Sequence, residues 1–138
     1  MILGIGTDIC EIARIEKALE NPRFLDRWFT SAEKEYILAR GAASAAGIFA
    51  AKEAAAKALG TGFSGFGADK IEILHDAHGK PLCRLHAGAK DRAAAIGAGE
   101  VMVSISHDGS MAVAFALAQA ESVAEAADPS RRDERHEP

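Results

Sequence analysis

Cysteine is scarce in this sequence of 138 residues, in which Cys10 and Cys83 are the only two. Two cysteines cannot form a disulfide framework in a chain of this length. Both stand in apolar surroundings, so we expect small buried hydrophobic residues in a reducing compartment. The class of small disulfide-stabilised secreted domains is therefore excluded.

Long hydrophobic segments and an N-terminal signal pattern are also missing. No apolar run approaches the ~20 residues that a membrane-spanning helix needs. The opening MILGIGTDIC has no basic region and reaches an acid at Asp8, unlike a secretory signal peptide. The sequence predicts a cytoplasmic protein without a membrane partner.

An excess of positive charge is absent as well. The net charge is −4, and residues 1–120 carry 14 acidic and 13 basic side chains. A nucleic-acid partner would be expected to show as a basic excess. Few large apolar residues follow position 120, so we expect a single domain over residues 1–120 and a disordered charged tail over residues 121–138.

Several catalytic motifs are missing. Gly4 and Gly6 are followed by neither a third glycine nor a Lys-Ser/Thr pair, which excludes a dinucleotide fingerprint and a phosphate-binding loop. No Ser-His-Asp or Cys-His arrangement can be identified. Four histidines lack the spacing of zinc ligands: His75, His78, His86 and His136.

The order of the predicted elements favours an α+β fold with a small, largely antiparallel sheet packed with helices. Thr30 and Glu33 form a capping-box pattern, and Asp108-Gly109 is a strong hairpin signal. The predicted strands are Ile2–Thr7, Ile71–His75, Pro81–Leu85, Val101–Ser106 and Met111–Leu117. The predicted helices are Ile9–Leu19, a short one through Trp28 and Phe29, one from Thr30 to about Arg40, Ser44–Leu59 and Ala87–Ile96.

Glu53 and Lys57 are the first candidates for chemistry, because four-residue spacing places them on one helix face. One interpretation is an exposed ion pair, which would stabilise the helix by only ~0.3–0.5 kcal/mol. The alternative is half of an active site. The many alanines around the pair and the glycines at Gly60 and Gly62 would allow a ligand to approach closely.

Asp8 is the second candidate. It could cap the helix predicted to begin at Ile9, or it could ligate a metal ion. Together with Glu53 it would supply two carboxylates, which suits Mg²⁺ completed by water and substrate phosphate. A nearby Lys57 would then balance phosphate charge. Spacing alone does not show that Asp8 meets Glu53.

Two further side chains have two interpretations each. His107, at the predicted hairpin turn, is either solvated or donates a hydrogen bond to a phosphate. Arg14 lies on the polar face of the first predicted helix, which is either solvated or a docking surface for an acidic protein.

Four segments occur in an order that resembles the holo-[acyl-carrier-protein] synthase family, the small trimeric type of 4′-phosphopantetheinyl transferase. They are GIGTDICEIARI at 4–15, FAAKEAAAKALGTG at 49–62, HGKP at 78–81 and SISHDGSMAVAFA at 104–116. The first two together are highly specific, and the resemblance covers roughly residues 1–119. It implies an α+β protomer that forms a homotrimer with active sites between protomers.

The resemblance also implies a reaction: transfer of 4′-phosphopantetheine from coenzyme A to a serine of apo-acyl carrier protein, in support of fatty acid biosynthesis. The other product would be adenosine 3′,5′-bisphosphate. The family pattern implies Mg²⁺ ligands at Asp8 and Glu53 and a phosphate contact at Lys57. It further implies coenzyme A contacts at Gly60 and His107, and carrier-protein docking at Arg14.

At one position the sequence departs from the family, because Ile48 stands where an arginine often precedes FAAKEA. That coenzyme A phosphate contact is therefore not implied here. Two alternatives belong to other classes. A non-catalytic carrier-protein-binding module would be favoured by loss of Asp8 or Glu53, and both are present. An Mg²⁺-dependent phosphohydrolase would need more acids near the metal than this chain offers.

Overall fold

The computed structural model describes residues 1–121 and has the predicted α+β architecture. The strands are β1 (Ile2–Glu11), β2 (Ile71–His75), β3 (Pro81–Leu85), β4 (Ala98–Asp108) and β5 (Met111–Ala120). The helices are α1 (Ile12–Ala18), α2 (Pro22–Trp28), α3 (Ser31–Arg40), α4 (Ala42–Ala58) and α5 (Ala87–Ala95), with a 3₁₀ turn at Ala68–Lys70. Apart from Glu121, the expected tail lies outside the described residues. Within them, every helix is too short or too polar to cross a membrane.

Two antiparallel sheets replace the single sheet expected from the sequence. One has three strands in the order β1-β5-β4, and the other is the hairpin of β2 and β3. The central strand β5 pairs Ala114 with Asp8 on one side and with Ile105 on the other. Residues far apart in sequence are therefore held side by side on one sheet.

The first strand is longer than predicted. A helix was expected from Ile9, but β1 continues to Glu11, which pairs with Met111, and α1 begins only at Ile12. Pairing with β5 overrides the helical spacing of the isoleucines, since each added residue gains ladder hydrogen bonds. The interpretation of Asp8 as a helix cap is therefore wrong. Glu11 occupies the N-cap position, without a side-chain hydrogen bond.

The β4–β5 hairpin also extends beyond both predicted strands. Asp108 pairs with Met111, so the turn consists of Gly109 and Ser110 instead of beginning at Asp108. Gly109 has a φ of 59°, a conformation that glycine adopts readily in tight hairpin turns.

Helix α4 packs on the inner face of the three-stranded sheet through very small side chains. Its buried residues include eight alanines: Ala45, Ala46, Ala50, Ala51, Ala54, Ala55, Ala56 and Ala58. The facing residues of β5 are also alanines: Ala112, Ala114, Ala116 and Ala118. On β1, a Cβ atom at Gly6 would overlap the carbonyl oxygen of Ala54. Helix and sheet backbones therefore lie close together, and this brings side chains of β1 next to those of α4.

We expect Gly6→Ala to lower the free energy of unfolding by about 1–3 kcal/mol or more, because the added methyl group forces the backbones apart. Gly67→Ala is the matched control, since Gly67 has a φ of −82° and a Cβ there would meet only the Asp69 carboxylate. Urea denaturation of both variants measures the difference. Equal stability of the two would contradict the close approach of α4 to β1.

The outer face of the same sheet carries large apolar side chains that the protomer leaves uncovered. Ile5 is 61% exposed, Ile9 60%, Phe115 46% and Met102 42%. Thr7 pairs with Phe115, and Ile9 pairs with Val113. The four exposed side chains therefore lie on neighbouring strands and form one continuous patch across β1, β5 and β4. A contiguous apolar surface of this kind is typical of a protein–protein interface.

Candidate active site

The structure brings Asp8, Glu53 and Lys57 together where β1 crosses α4. Asp8 pairs with Ala114 and therefore projects toward the helix. The Lys57 Nζ atom lies 3.5 Å from Asp8 Oδ1 and donates a hydrogen bond of 2.9 Å to the carbonyl oxygen of Thr7. Within residues 1–121, the ion pair of Lys57 thus runs to Asp8 on the strand and not along the helix to Glu53.

Glu53 interacts electrostatically with Asp8 and Lys57. Its pKa is raised above the ordinary glutamate value, first because burial disfavours the charged form and then because the Asp8 carboxylate lies near. Lys57 and Arg14 act in the opposite direction. Two interacting carboxylates with incomplete compensation favour the binding of a cation between them.

The donor set fits Mg²⁺ better than a softer metal. The described residues contain no cluster of three or more His, Cys, Asp or Glu side chains that could hold a metal ion. The two carboxylates supply only oxygen donors, and Mg²⁺ commonly takes one or two carboxylates while water and substrate phosphate complete its octahedron.

Arg14 lies at the rim of this group. It is exposed on α1, and its guanidinium carbon lies 5.7 Å from the centroid of the Phe49 ring on α4. Its charge lowers the pKa of Glu53. An exposed cation beside the carboxylates is available to a partner that approaches from solvent.

Gly60 lies just beyond Leu59, the C-cap of the helix that carries Lys57, and its amide donates to the Lys57 carbonyl oxygen over 3.0 Å. Its φ of 86° lies in the left-handed region that favours glycine. Arg92, a residue that the sequence analysis missed, donates from Nε to the carbonyl oxygen of Leu59 over 2.8 Å. A cation at a helix C-terminus is stabilising, so Arg92 fixes the turn at Gly60.

His107 is not brought to this group within one chain. It lies on β4, which β5 separates from β1, and its Nε2 donates to the carbonyl oxygen of Ala43 over 2.8 Å. Ala43 belongs to the first turn of α4, about 15 Å along the helix axis before Glu53 at 1.5 Å per residue. His107 instead lines a separate cavity of about 220 Å³, together with Tyr36, His75 and others.

Ile48 has a different role from the arginine that the family often has at this position. Its side chain is fully buried in the hydrophobic core. It therefore presents no group to a phosphate.

Lys52 and Glu33 are a second pair that the sequence analysis missed. Both side chains are fully buried, and Lys52 Nζ lies 2.7 Å from Glu33 Oε1. The capping box had identified Glu33 only as a local helix signal, and that signal is confirmed: Thr30 and Glu33 exchange backbone-to-side-chain hydrogen bonds. A lysine inside an alanine-rich helix is the one sequence feature that could have indicated a buried ion.

The sequence analysis expected both cysteines to be buried, and this is confirmed for Cys10, whereas Cys83 is only half-buried. Cys10 is buried and donates from Sγ to the Ala46 carbonyl oxygen over 3.4 Å. Burial, and then the charge of Asp8, raise the pKa of Cys10, and burial raises the pKa of Cys83 to about 12. The raised pKa values disfavour the reactive thiolate form of both cysteines at neutral pH.

Comparisons with a family model, with protein sequences and with solved structures agree on one protein family. The family model described as the 4′-phosphopantetheinyl transferase superfamily matches residues 4–116. A holo-[acyl-carrier-protein] synthase of Alkaliphilus metalliredigens is 50% identical over 121 residues, which cover 86% of this chain and 99% of that protein. The crystal structure of the synthase from Neisseria meningitidis has a TM-score of 0.79 at 35% identity, over 86% and 99% of the two chains. The Helicobacter pylori synthase in complex with coenzyme A has a TM-score of 0.74 at 33% identity, over 83% and 99%.

Proposed function

Because this chain belongs to the 4′-phosphopantetheinyl transferase superfamily and is an enzyme of the holo-[acyl-carrier-protein] synthase type, we propose that it transfers 4′-phosphopantetheine from coenzyme A to a serine of apo-acyl carrier protein. The observation that carries the proposal is the convergence of Asp8, Glu53 and Lys57. The coenzyme A complex of the Helicobacter pylori relative supports the choice of donor substrate. The holo-carrier protein serves fatty acid biosynthesis in the cytoplasm.

Asp8 and Glu53 hold Mg²⁺ in this proposal. When bound, the ion offsets the negative charge of the coenzyme A pyrophosphate during phosphoryl transfer. Lys57, half exposed beside Asp8, contacts a phosphate oxygen, and Gly60 allows the substrate to approach the end of α4.

The bond changes follow from the substrates. The serine oxygen of the carrier protein forms a bond to the phosphorus next to pantetheine, and the bond from that phosphorus to the bridging oxygen breaks. Adenosine 3′,5′-bisphosphate leaves with that oxygen. The serine proton passes to Glu53 or to a water molecule.

A homotrimer is the second part of the proposal. The uncovered apolar patch around Ile9 and Phe115 provides a surface for further copies of the chain. His107 lies far from Asp8 within one protomer. It therefore contributes to coenzyme A binding only if it faces Asp8, Glu53 and Lys57 of a neighbouring copy. The cleft between two protomers then forms each active site.

Phe115→Glu is expected to break the trimer while the protomer still folds, because the charge lies on an exposed face and not in the core. Activity should fall together with assembly. Analytical ultracentrifugation should then show the wild type near three times its 14.5 kDa chain mass and the variant near one. A fully active monomeric wild type at micromolar concentration would overturn both the trimer and the shared site.

Arg14→Glu is expected to weaken carrier-protein binding much more than coenzyme A binding. Reversal of an exposed rim charge chiefly affects the encounter rate and its salt dependence. The loss should therefore appear as an increase of about 10-fold or more in the KM for carrier protein, and high salt should reduce it. An equal increase in both KM values would contradict a docking role for Arg14.

The direct test is mass spectrometry of an apo-acyl carrier protein after incubation with this protein, coenzyme A and Mg²⁺. A gain of the phosphopantetheine mass on serine supports the transfer. Release of phosphate would instead indicate a phosphohydrolase, and an unchanged carrier protein that still binds would indicate a non-catalytic module.

A further inference from the structure

The buried ammonium group of Lys52 has a complete set of partners. Besides Glu33, its Nζ atom donates to the carbonyl oxygens of Ala68 over 2.9 Å and Ile71 over 2.7 Å. A lysine ammonium has three hydrogens to donate, so each of them has an acceptor. The charge therefore has one defined position inside the protein.

Glu33 is held with equal completeness. Its Oε1 accepts from the Thr30 amide and its Oε2 from the Ile73 amide, each over 2.8 Å. The carboxylate thus joins the start of α3 to the middle of β2. Through Lys52, both elements are tied to α4.

The half of α4 that carries the catalytic candidates has few other features that could fix its orientation. From position 50 to position 58 it consists of alanines together with Lys52, Glu53 and Lys57. Of those three, only Lys52 is buried. The close contacts of Ala54 and Ala58 with Gly6 and Gly4 set the distance between this part of the helix and β1. The buried ion adds three directed hydrogen bonds that resist rotation of the helix about its own axis.

We propose that Lys52 is a positioning residue. Through its buried pair with Glu33 it fixes the rotation of α4 and thereby aims Glu53 and Lys57 at Asp8. The inference rests on the proposed function, since it concerns the same Mg²⁺ site. It assigns the buried pair a role in metal affinity beyond its contribution to folding.

The test replaces both members of the pair by apolar residues of similar volume, Glu33→Leu with Lys52→Met. Such replacements of a buried ion pair are often neutral or stabilising, so urea denaturation should show a folded protein. The affinity for Mn²⁺ as a probe of the Mg²⁺ site, measured by the electron paramagnetic resonance signal of free Mn²⁺, should fall about 10–100-fold, as for other groups that orient metal ligands. The KM for carrier protein should change less than the Mn²⁺ affinity, because Arg14 lies on α1 and not on α4.

The matched control replaces the exposed pair of Asp26 and Lys34, which lie 2.6 Å apart, by the same residue types. It should leave Mn²⁺ affinity unchanged. If the double variant of the buried pair fails to fold, Glu33→Asp is measured in its place, because it keeps the charge and both acceptor oxygens and only shortens the side chain that holds Lys52. A loss of about 10-fold is expected there.

Two outcomes would overturn the inference, and they are distinguishable. A folded variant that binds Mn²⁺ as tightly as the wild type would show that the pair only stabilises the fold, and the proposed function would stand. A wild type that binds no Mn²⁺ would overturn the metal site itself and the positioning role with it.

Discussion

Glu53→Gln is expected to reduce Mg²⁺-dependent transfer by at least about 100-fold while the fold remains intact. Two protein ligands are few for a metal ion, so the loss of one leaves the ion mainly to water and substrate. Changes to groups that merely orient metal ligands already cost 10–100-fold, and the loss of a ligand should cost at least as much. The amide keeps the shape of the side chain and removes its charge. The measurement is kcat/KM at saturating Mg²⁺, with circular dichroism to confirm folding.

Asp8→Ala should give a comparable loss, since Asp8 is the other carboxylate. Glu35→Gln on α3 serves as a control, because Glu35 is exposed and belongs to neither group of interacting side chains. It should leave turnover unchanged. Near-normal turnover in either Glu53→Gln or Asp8→Ala would refute the assigned metal site.

Lys52→Ala is expected to lower the free energy of unfolding by about 3–5 kcal/mol, because it leaves the Glu33 carboxylate buried without its counter-charge. Burial already raises the pKa of Glu33 and lowers that of Lys52, and each partner opposes the shift of the other. Loss of one partner removes that compensation. Urea denaturation at neutral pH measures the change.

The control for this stability effect is Lys34→Ala. The Lys34 side chain is 37% exposed and that of Asp26 73% exposed, so the loss of this pair should cost less than about 1 kcal/mol. Equal effects of the two substitutions would mean that the ammonium of Lys52 is hydrated in solution and not enclosed.

Signals that act within a few residues allowed much of the fold to be predicted. Asn21 accepts a hydrogen bond from the Arg23 amide just before Pro22 begins α2, which is a cap of this local kind. The Thr30 capping box and the hairpin near Gly109 are equally local. The helix predicted to begin at Ile9 was wrong, although Ile9 does have helical spacing with the isoleucines that follow it. Pairing between β1 and β5 determines the conformation of Ile9 instead. That pairing joins opposite ends of the chain.

The candidate site could also be predicted only in part from the sequence. Asp8, Glu53 and Lys57 were selected from residue type and motif, and the structure brings them together. The separation of His107 from them could not be deduced, because it depends on the strand order β1-β5-β4. The partners of Lys52 could not be predicted for a related reason. Two of them are backbone carbonyl groups, and since every residue has one, the sequence does not indicate which of them accepts a hydrogen bond.

The strand order also determines when the site can form during synthesis on the ribosome. The Thr7 hydroxyl group donates to the carbonyl oxygen of Ala114, a partner 107 residues away. Asp8 therefore emerges early but acquires its neighbour strand only after β5 has been translated. Closing such a long loop is slow compared with forming helices such as α4. The nascent chain consequently holds Glu53 and Lys57 on a helix well before Asp8 can join them, and catalytic competence appears as one of the last events of folding.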